Sequence, residues 1–236
     1  MRKYILIVSL IVLSTLGLSR AEDNGFDKEL SSLRKNIISM CAQLQAGQPK
    51  ESQEQLLKEI DGIISGWEGM ASAYKATPPA EYSKDPAWKS YFDEALDNFR
   101  IMRQKAEEKK YGRAMQFCGY NCSLFVKIHE VNGRSTLTDK MFMLRQNVRL
   151  AVSMAKAENW AGAQETIKKC SSNLNEIKKY PKPQNNDENE YSLDINQVES
   201  AYNKIMEVIN NRNIQAIDGQ LKSFIEDFGK IYKKYI

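Results

Sequence analysis

The six prolines of the chain divide it into long proline-free segments, and this spacing constrains the fold more than any other sequence feature. They are Pro49, Pro78, Pro79, Pro86, Pro181 and Pro183. The segments between them are rich in Lys, Glu, Gln, Ala, Leu, Ile and Met, which favour helices, whereas proline is poorly tolerated inside one. No convincing run of alternating apolar and polar residues indicates a strand. The sequence therefore predicts an all-α protein.

Apolar residues recur every three or four positions along these segments. The first predicted helix runs from about Phe26 to Leu44 and carries its stripe at Leu30, Leu33, Ile37, Cys41 and Leu44. Further helices are predicted over about 51–74, 86–108, 111–131, 160–179, 193–210 and 213–235. Another is predicted to begin near residue 141. Asp85 is expected to cap the third helix, with Pro86 in its first turn, and residues 185–190 are expected to form a polar loop.

The second half of the chain repeats the plan of the first. Leu144-Arg145-Gln146-Asn147 resembles Leu33-Arg34-Lys35-Asn36, and each half has a proline-marked loop after its second helix. Short connections place successive helices antiparallel. We therefore expect two tandem up-down-up-down four-helix bundles, over residues 22–133 and 138–236.

The N-terminal segment has the layout of a secretory signal. Arg2 and Lys3 precede an apolar run, and small residues precede a cleavage site after Ala21. The predicted location is periplasmic or secreted, and no later stretch is apolar enough to span a membrane. Cleavage would remove three basic residues and no acidic ones, lowering the net charge from +4 to +1. Because non-specific binding to nucleic acid needs excess basic charge, a nucleic-acid partner is not expected.

Several classes of active site are excluded by composition. The single histidine excludes bis-histidine haem and multi-histidine metal sites, although one axial ligand remains possible. We find no P-loop, dinucleotide-binding glycine pattern, nucleophile elbow or acid pair in a convincing context. The sequence therefore does not predict an enzyme.

The first half resembles the soluble cytochrome b562 family, periplasmic four-helix bundles that hold one non-covalent haem. The resemblance is sharpest from Lys75-Ala76-Thr77-Pro78-Pro79 through the fourth predicted helix. His129 falls on the family's haem-ligating histidine, and Trp88 and Phe92 fall on the aromatic pair that lines the haem pocket. At the position of the family's methionine ligand this chain has Leu30.

The second half matches the family in the opposite way. Met141 falls on the ligating methionine, whereas Tyr232 falls on the histidine position. Each half thus keeps one ligand of the family and lacks the other. The related cytochrome c′ bundles attach haem through CxxCH, but Phe125 and Ile128 stand where its thiols would be, so covalent haem is not expected.

The resemblance implies one b-type haem in the first bundle, serving electron transfer or the binding of a small ligand. His129 would be the axial ligand, and Leu30, Trp88, Phe92 and Phe125 would line the pocket. A periplasmic redox or structural protein would be the partner. The alternative is a haem-free structural or partner-binding module, in which those apolar side chains fill the pocket themselves.

The ligand positions also place two cysteines at one level of the first bundle. Cys41 lies eleven residues after Leu30, and Cys118 lies eleven residues before His129 on an antiparallel helix. Each cysteine is therefore about 16 Å from its ligand position, in the same direction along the bundle. A Cys41–Cys118 disulfide is therefore a candidate, with Cys122 as the competing partner. Cys170 is expected to be a buried thiol.

Overall fold

The computed structural model describes residues 25–45, 52–183 and 187–235, and their regular structure is helical. The α-helices are α1 (Gly25–Gln45), α2 (Gln53–Met70), α3 (Trp88–Glu107), α4 (Tyr111–Val131), α5 (Leu137–Lys156), α6 (Trp160–Lys179), α7 (Glu188–Asn210) and α8 (Ile214–Tyr232). A π-helical turn, Ala71–Lys75, continues α2, and a 3-10 turn, Ala80–Tyr82, precedes α3. The prediction of an all-α protein is confirmed. The predicted signal segment lies outside the described residues.

Two helices begin at other residues than the sequence predicts. Asp187 accepts hydrogen bonds from the backbone N–H groups of Asn189 and Glu190, so α7 begins at Glu188 and the loop predicted over 185–190 was wrong for its last residues. Asp85 accepts a hydrogen bond from the Ala87 N–H, and α3 begins at Trp88 instead of at Pro86. The cap at Asp187 is a local polar contact that apolar periodicity does not report. For α3 the prediction that Asp85 is the cap was wrong, because the N-cap residue is Ala87 and no side chain caps this helix.

The helices contact one another in two consecutive sets. In the first helix group, α1–α4, each helix packs on the next and α4 returns to contact α1. In the second helix group, α5–α8, the same holds and α8 returns to contact α5. The two groups follow each other directly, since only residues 132–136 separate α4 from α5. The C-terminal end of α4 and the N-terminal end of α5 therefore meet where the groups join.

A disulfide joins α1 to α4 inside the first helix group. It links Cys41 to Cys118, whose Cα atoms lie 6.0 Å apart, and this is the pairing that the helix register favours. Cys122 and Cys170 are buried thiols. Burial raises the pKa of Cys170 to about 12, so this thiol stays protonated near neutral pH. The described helices include none that is long and apolar enough to cross a membrane.

Reduction of the Cys41–Cys118 disulfide should lower the free energy of unfolding. The bond closes a loop across 77 residues, for which we expect a loss of roughly 2–4 kcal/mol. Urea unfolding with and without dithiothreitol, followed by circular dichroism, measures it. The double variant Cys41→Ser/Cys118→Ser is the control and should not respond to the reductant. Identical curves for the wild-type protein under both conditions would contradict the prediction.

Candidate functional site: a buried charge cluster where the helix groups join

His129 lies at the C-terminal end of α4 with its imidazole between two carboxylates. The side chain is almost wholly buried, as its position on the apolar stripe of α4 predicts. Nδ1 lies 2.6 Å from Oδ2 of Asp139, a hydrogen bond to the first turn of α5. Nε2 lies 3.7 Å from Oδ1 of Asp27 in α1, which is an ion-pair distance but too long for a hydrogen bond. The histidine thus faces a carboxylate on each side.

Asp139 is held by partners from three parts of the chain. It forms a capping box with Thr136, in which the carboxylate accepts from the Thr136 N–H and the Asp139 N–H donates to the threonine hydroxyl. Nη1 of Arg34 in α1 donates to Oδ1 at 2.5 Å. Asp139 and Arg34 are both buried, so this is an ion pair withdrawn from water.

Asp27 is the second carboxylate of the site. It accepts hydrogen bonds from the Tyr82 hydroxyl at 2.5 Å and from Nη2 of Arg134 at 2.6 Å. Arg134 belongs to the connection between α4 and α5, so it ties this connection to the first turn of α1. We call Asp27, Arg34, His129, Arg134 and Asp139 together the junction cluster.

The two carboxylates keep the imidazole protonated. Burial alone would lower the pKa of His129, but Asp139 and Asp27 outweigh it and raise that pKa to about 9. Burial would likewise raise the pKa of Asp139, yet its hydrogen bond with His129 and the charge of Arg34 hold it below its usual range. The pKa of Asp27 is lowered in the same way, against burial, by His129, Tyr82 and Arg134. At neutral pH the cluster thus holds three cations and two anions.

Part of the hydrogen-bonding capacity of the cluster is unused. Within the part of the chain that the structure describes, Nε and Nη2 of Arg34 and Nε2 of His129 have no hydrogen-bond partner. The Arg34 guanidinium lies 5.8 Å from the centre of the Phe142 ring, and the Arg145 guanidinium lies 5.5 Å from the same ring. Buried donors without partners are unusual and call for an explanation.

The aromatic residues predicted to line a haem pocket pack against one another. Trp88 lies 5.2 Å from Phe92 between ring centres, and Phe92 lies 5.1 Å from Trp67 in a stacked arrangement. Trp67 in turn lies 5.4 Å from Phe125. Trp67, on the inward stripe of α2, was not counted as a pocket residue in the sequence analysis. Together with Phe26, 4.9 Å from Trp88, these rings form one continuous core.

Leu30 and His129 do come together, as the ligand alignment predicts. Both line one cleft at the edge of the junction cluster, although Leu30 itself is buried. Asp27, Arg34 and Asp139 were not predicted as site residues from the sequence. The available signals were the Thr136-x-x-Asp139 capping pattern and the position of Arg34 on the apolar stripe between Leu30 and Ile37.

The residues present do not fit a haem ligated by His129. A protonated imidazole has no lone pair for iron, and Nε2 faces the carboxylate of Asp27 at 3.7 Å, which stabilises this protonated form. The rings of Trp67, Phe92, Phe125 and Trp88 pack on one another in stacked, tilted and edge-to-face pairs, so a porphyrin could enter between them only by separating these rings. Hydrogen bonds fix the indoles as well, since Trp67 donates to the Phe92 carbonyl and Trp88 to the Tyr74 carbonyl.

The two ligand-related positions of the second half are also buried in protein. Met141 is fully buried in α5. Tyr232 lies close to the C-terminal end of the described residues, and its ring is buried and stacks on Phe228 at 5.7 Å. The Arg145 guanidinium lies 5.3 Å from the same tyrosine ring, which therefore packs between a cation and an aromatic core.

Comparison with models of known protein families, with curated proteins and with solved structures finds no match for this chain. The resemblance to cytochrome b562 therefore depends only on the residues quoted above. Among the described residues, no group of three or more histidine, cysteine or carboxylate side chains is arranged to hold a metal ion.

His129 is the sole histidine, so its protonation can be followed by one set of ring signals in proton NMR. We expect a titration midpoint near pH 9, in place of 6.5, because Asp139 and Asp27 stabilise the imidazolium. The corresponding stabilisation, about 3 kcal/mol, should be fully present below pH 6.5 and lost as the pH rises through 9. The variant His129→Gln should lack this loss in urea unfolding. A midpoint near pH 6.5 would contradict the assignment.

Asp139→Asn should destabilise the protein strongly, because it leaves Arg34 buried without its ion-pair partner. We expect a loss of about 3–5 kcal/mol in the free energy of unfolding, together with a fall in the pKa of His129. Asp218→Asn is the matched control, since its pair with Lys156 is exposed and should contribute less than about 1 kcal/mol. Equal effects of the two substitutions would show that the buried pairing is not important for stability.

Proposed function

We propose that this protein is an exported, haem-free helical-bundle module that binds a partner or ligand and does not catalyse a reaction. The observation that carries the proposal is the pairing of His129 with carboxylates on both sides. A side chain held in this way contributes to structure and electrostatics, and it does not present a free lone pair for metal binding.

We further propose that the two helix groups are tandem up-down-up-down four-helix bundles, with boundaries at about 22–133 and 138–236. The cyclic packing α1–α2–α3–α4 and α5–α6–α7–α8 supports this arrangement. So does the sequence repeat, which places Arg34 and Arg145 at equivalent positions. The cytochrome-b562-like plan then describes the scaffold without its cofactor.

Export to the periplasm or to the exterior agrees with two features. The N-terminal segment has the composition of a secretory signal. The Cys41–Cys118 disulfide is of a kind that persists in oxidising compartments and is rare in the cytosol. Both features support the proposed location independently of any cofactor.

A haem protein is the second candidate function, and one observation favours it. Histidines that ligate metals usually donate their other ring N–H to a carboxylate, as Nδ1 of His129 does to Asp139. For Nε2 to bind iron, however, the imidazolium would have to lose its proton and Asp27 would have to leave Tyr82 and Arg134. The haem-free reading requires neither change.

An absorption spectrum after expression with ample haem separates the two candidates. We expect a colourless, helical protein that gives no stoichiometric Soret band when haemin is added. Leu30→Met is the informative variant, since it restores the missing thioether. If the missing methionine ligand were the only reason for the absence of haem, this variant would bind haem. Because the aromatic core is packed and His129 is protonated, we expect the variant to stay colourless. A Soret band in the wild-type protein that His129→Ala abolishes would refute the proposal.

A further inference from the structure

A cleft of about 320 Å³ opens beside the junction cluster. Its floor contains the buried side chains of Leu30, Arg34 and His129. Exposed residues of α1 form its rim, and Thr136 and Thr138 from the start of α5 form the opposite side. The cleft therefore lies between the two helix groups, and its size is that of a small-ligand site.

The charge around this cleft is positive. Lys28, Lys35, Arg34 and His129 contribute four cationic groups when the histidine is protonated, against two carboxylates, that of Asp27 and that of Asp139, which pairs with both Arg34 and His129. The whole chain has a net charge of only +4, spread over 34 basic and 30 acidic residues. Positive charge is thus concentrated at this cleft, which favours an anionic ligand.

Arg34 offers this cleft a specific pair of donors. Its Nη1 is occupied by Asp139, whereas Nε and Nη2 have no partner among the described residues. These two nitrogens form the side-on edge of the guanidinium, which binds two oxygens of a carboxylate or phosphate at once. Nε2 of His129 is a third buried nitrogen without a hydrogen bond. All of these nitrogens belong to residues that line the same cleft.

We propose that the cleft between α1 and the start of α5 binds a small oxyanion, a phosphate or carboxylate group, through the side-on edge of Arg34, because Nε2 of His129 already faces the Asp27 carboxylate at 3.7 Å. The exposed hydroxyls of Ser31 and Ser32 and the ammonium groups of Lys28 and Lys35 lie at the rim, where they attract the anion and contact its outer oxygens. The buried position of the donors selects a group small enough to enter and able to shed its water.

This binding site does not depend on the absence of haem elsewhere. It uses Arg34 and the rim of the cleft, where α1 meets α5. It uses neither Nε2 of His129, the atom that would bind iron, nor the aromatic core formed by Trp67, Phe92 and Phe125. The haemin spectrum and the anion titration can therefore fail separately. A protein without haem and without anion binding would leave the proposed module in place and remove only this site.

Titration with inorganic phosphate at low ionic strength tests the proposal, using the full mature chain. Calorimetry should show saturable binding, with a dissociation constant of the order of 1 mM or tighter. The ring signals of His129, the sole histidine, should shift along the same binding curve. Succinate should compete, since it offers the same pair of oxygens, whereas chloride at equal ionic strength should not.

The variant Lys28→Gln/Lys35→Gln removes the charged rim without disturbing a buried group. We expect it to weaken phosphate binding about fivefold, because two favourable charges are lost. Lys58→Gln/Lys222→Gln, at exposed positions that do not line the cleft, is the matched control and should change the affinity by less than about twofold.

Two results would overturn the proposal. One is phosphate binding that leaves the His129 signals unmoved or is equally weakened by both double variants, since the anion would then bind elsewhere. The other is the absence of any saturable response up to about 10 mM phosphate. Co-sedimentation with phosphatidylglycerol vesicles, compared with phosphatidylcholine vesicles, decides the source of the group. If the protein sediments with phosphatidylglycerol vesicles and free phosphate abolishes this, the site is supported and its ligand is a lipid headgroup. If phosphate binds but the protein does not sediment with the vesicles, the ligand is a soluble ion.

Discussion

Five charged side chains meet where the helix groups join, and the pairing among them determines how α1, α4 and α5 can be placed. Asp139 connects α5 to His129 in α4 and to Arg34 in α1, while Asp27 connects α1 to Arg134 in the intervening loop. Buried ion pairs add little net stability over an apolar core of similar volume, but breaking one is costly. The junction cluster therefore specifies one arrangement of the helices more than it raises the overall stability.

On the proposed haem-free function, the same cluster accounts for a cytochrome-like pattern without a cytochrome-like site. The carboxylates hold His129 as an imidazolium, and Trp67, Phe92 and Phe125 occupy the neighbouring core. Leu30 then serves as an apolar neighbour of the cluster. What distinguishes this chain is the polar environment of one histidine, since the helical scaffold follows from patterns shared by many bundles.

Sequence periodicity was sufficient for the helices and for the inward position of His129, because both depend on residues three and four apart in the chain. It was not sufficient for the partners of His129, because Asp27 and Asp139 come from other helices and only the packing brings them together. Helix ends were also uncertain where an aspartate side chain makes the cap, as at Asp187. The burial of Tyr232 depends on its packing against Phe228 and Arg145, and its position near the end of the chain does not predict it.

The contact of both Arg34 and Arg145 with the ring of Phe142 has an evolutionary consequence. On the proposed duplication, these arginines descend from one ancestral position, and an ancestor with a single copy had no second half to supply Asp139 or Phe142 to Arg34. Without the second half, the present first half would keep Arg34 and His129 as cations but would lack Asp139, the counterion that they share. On this proposal the first half depends on the second for the counterion of Arg34, and reversion to a single unit would first require that Arg34 be replaced.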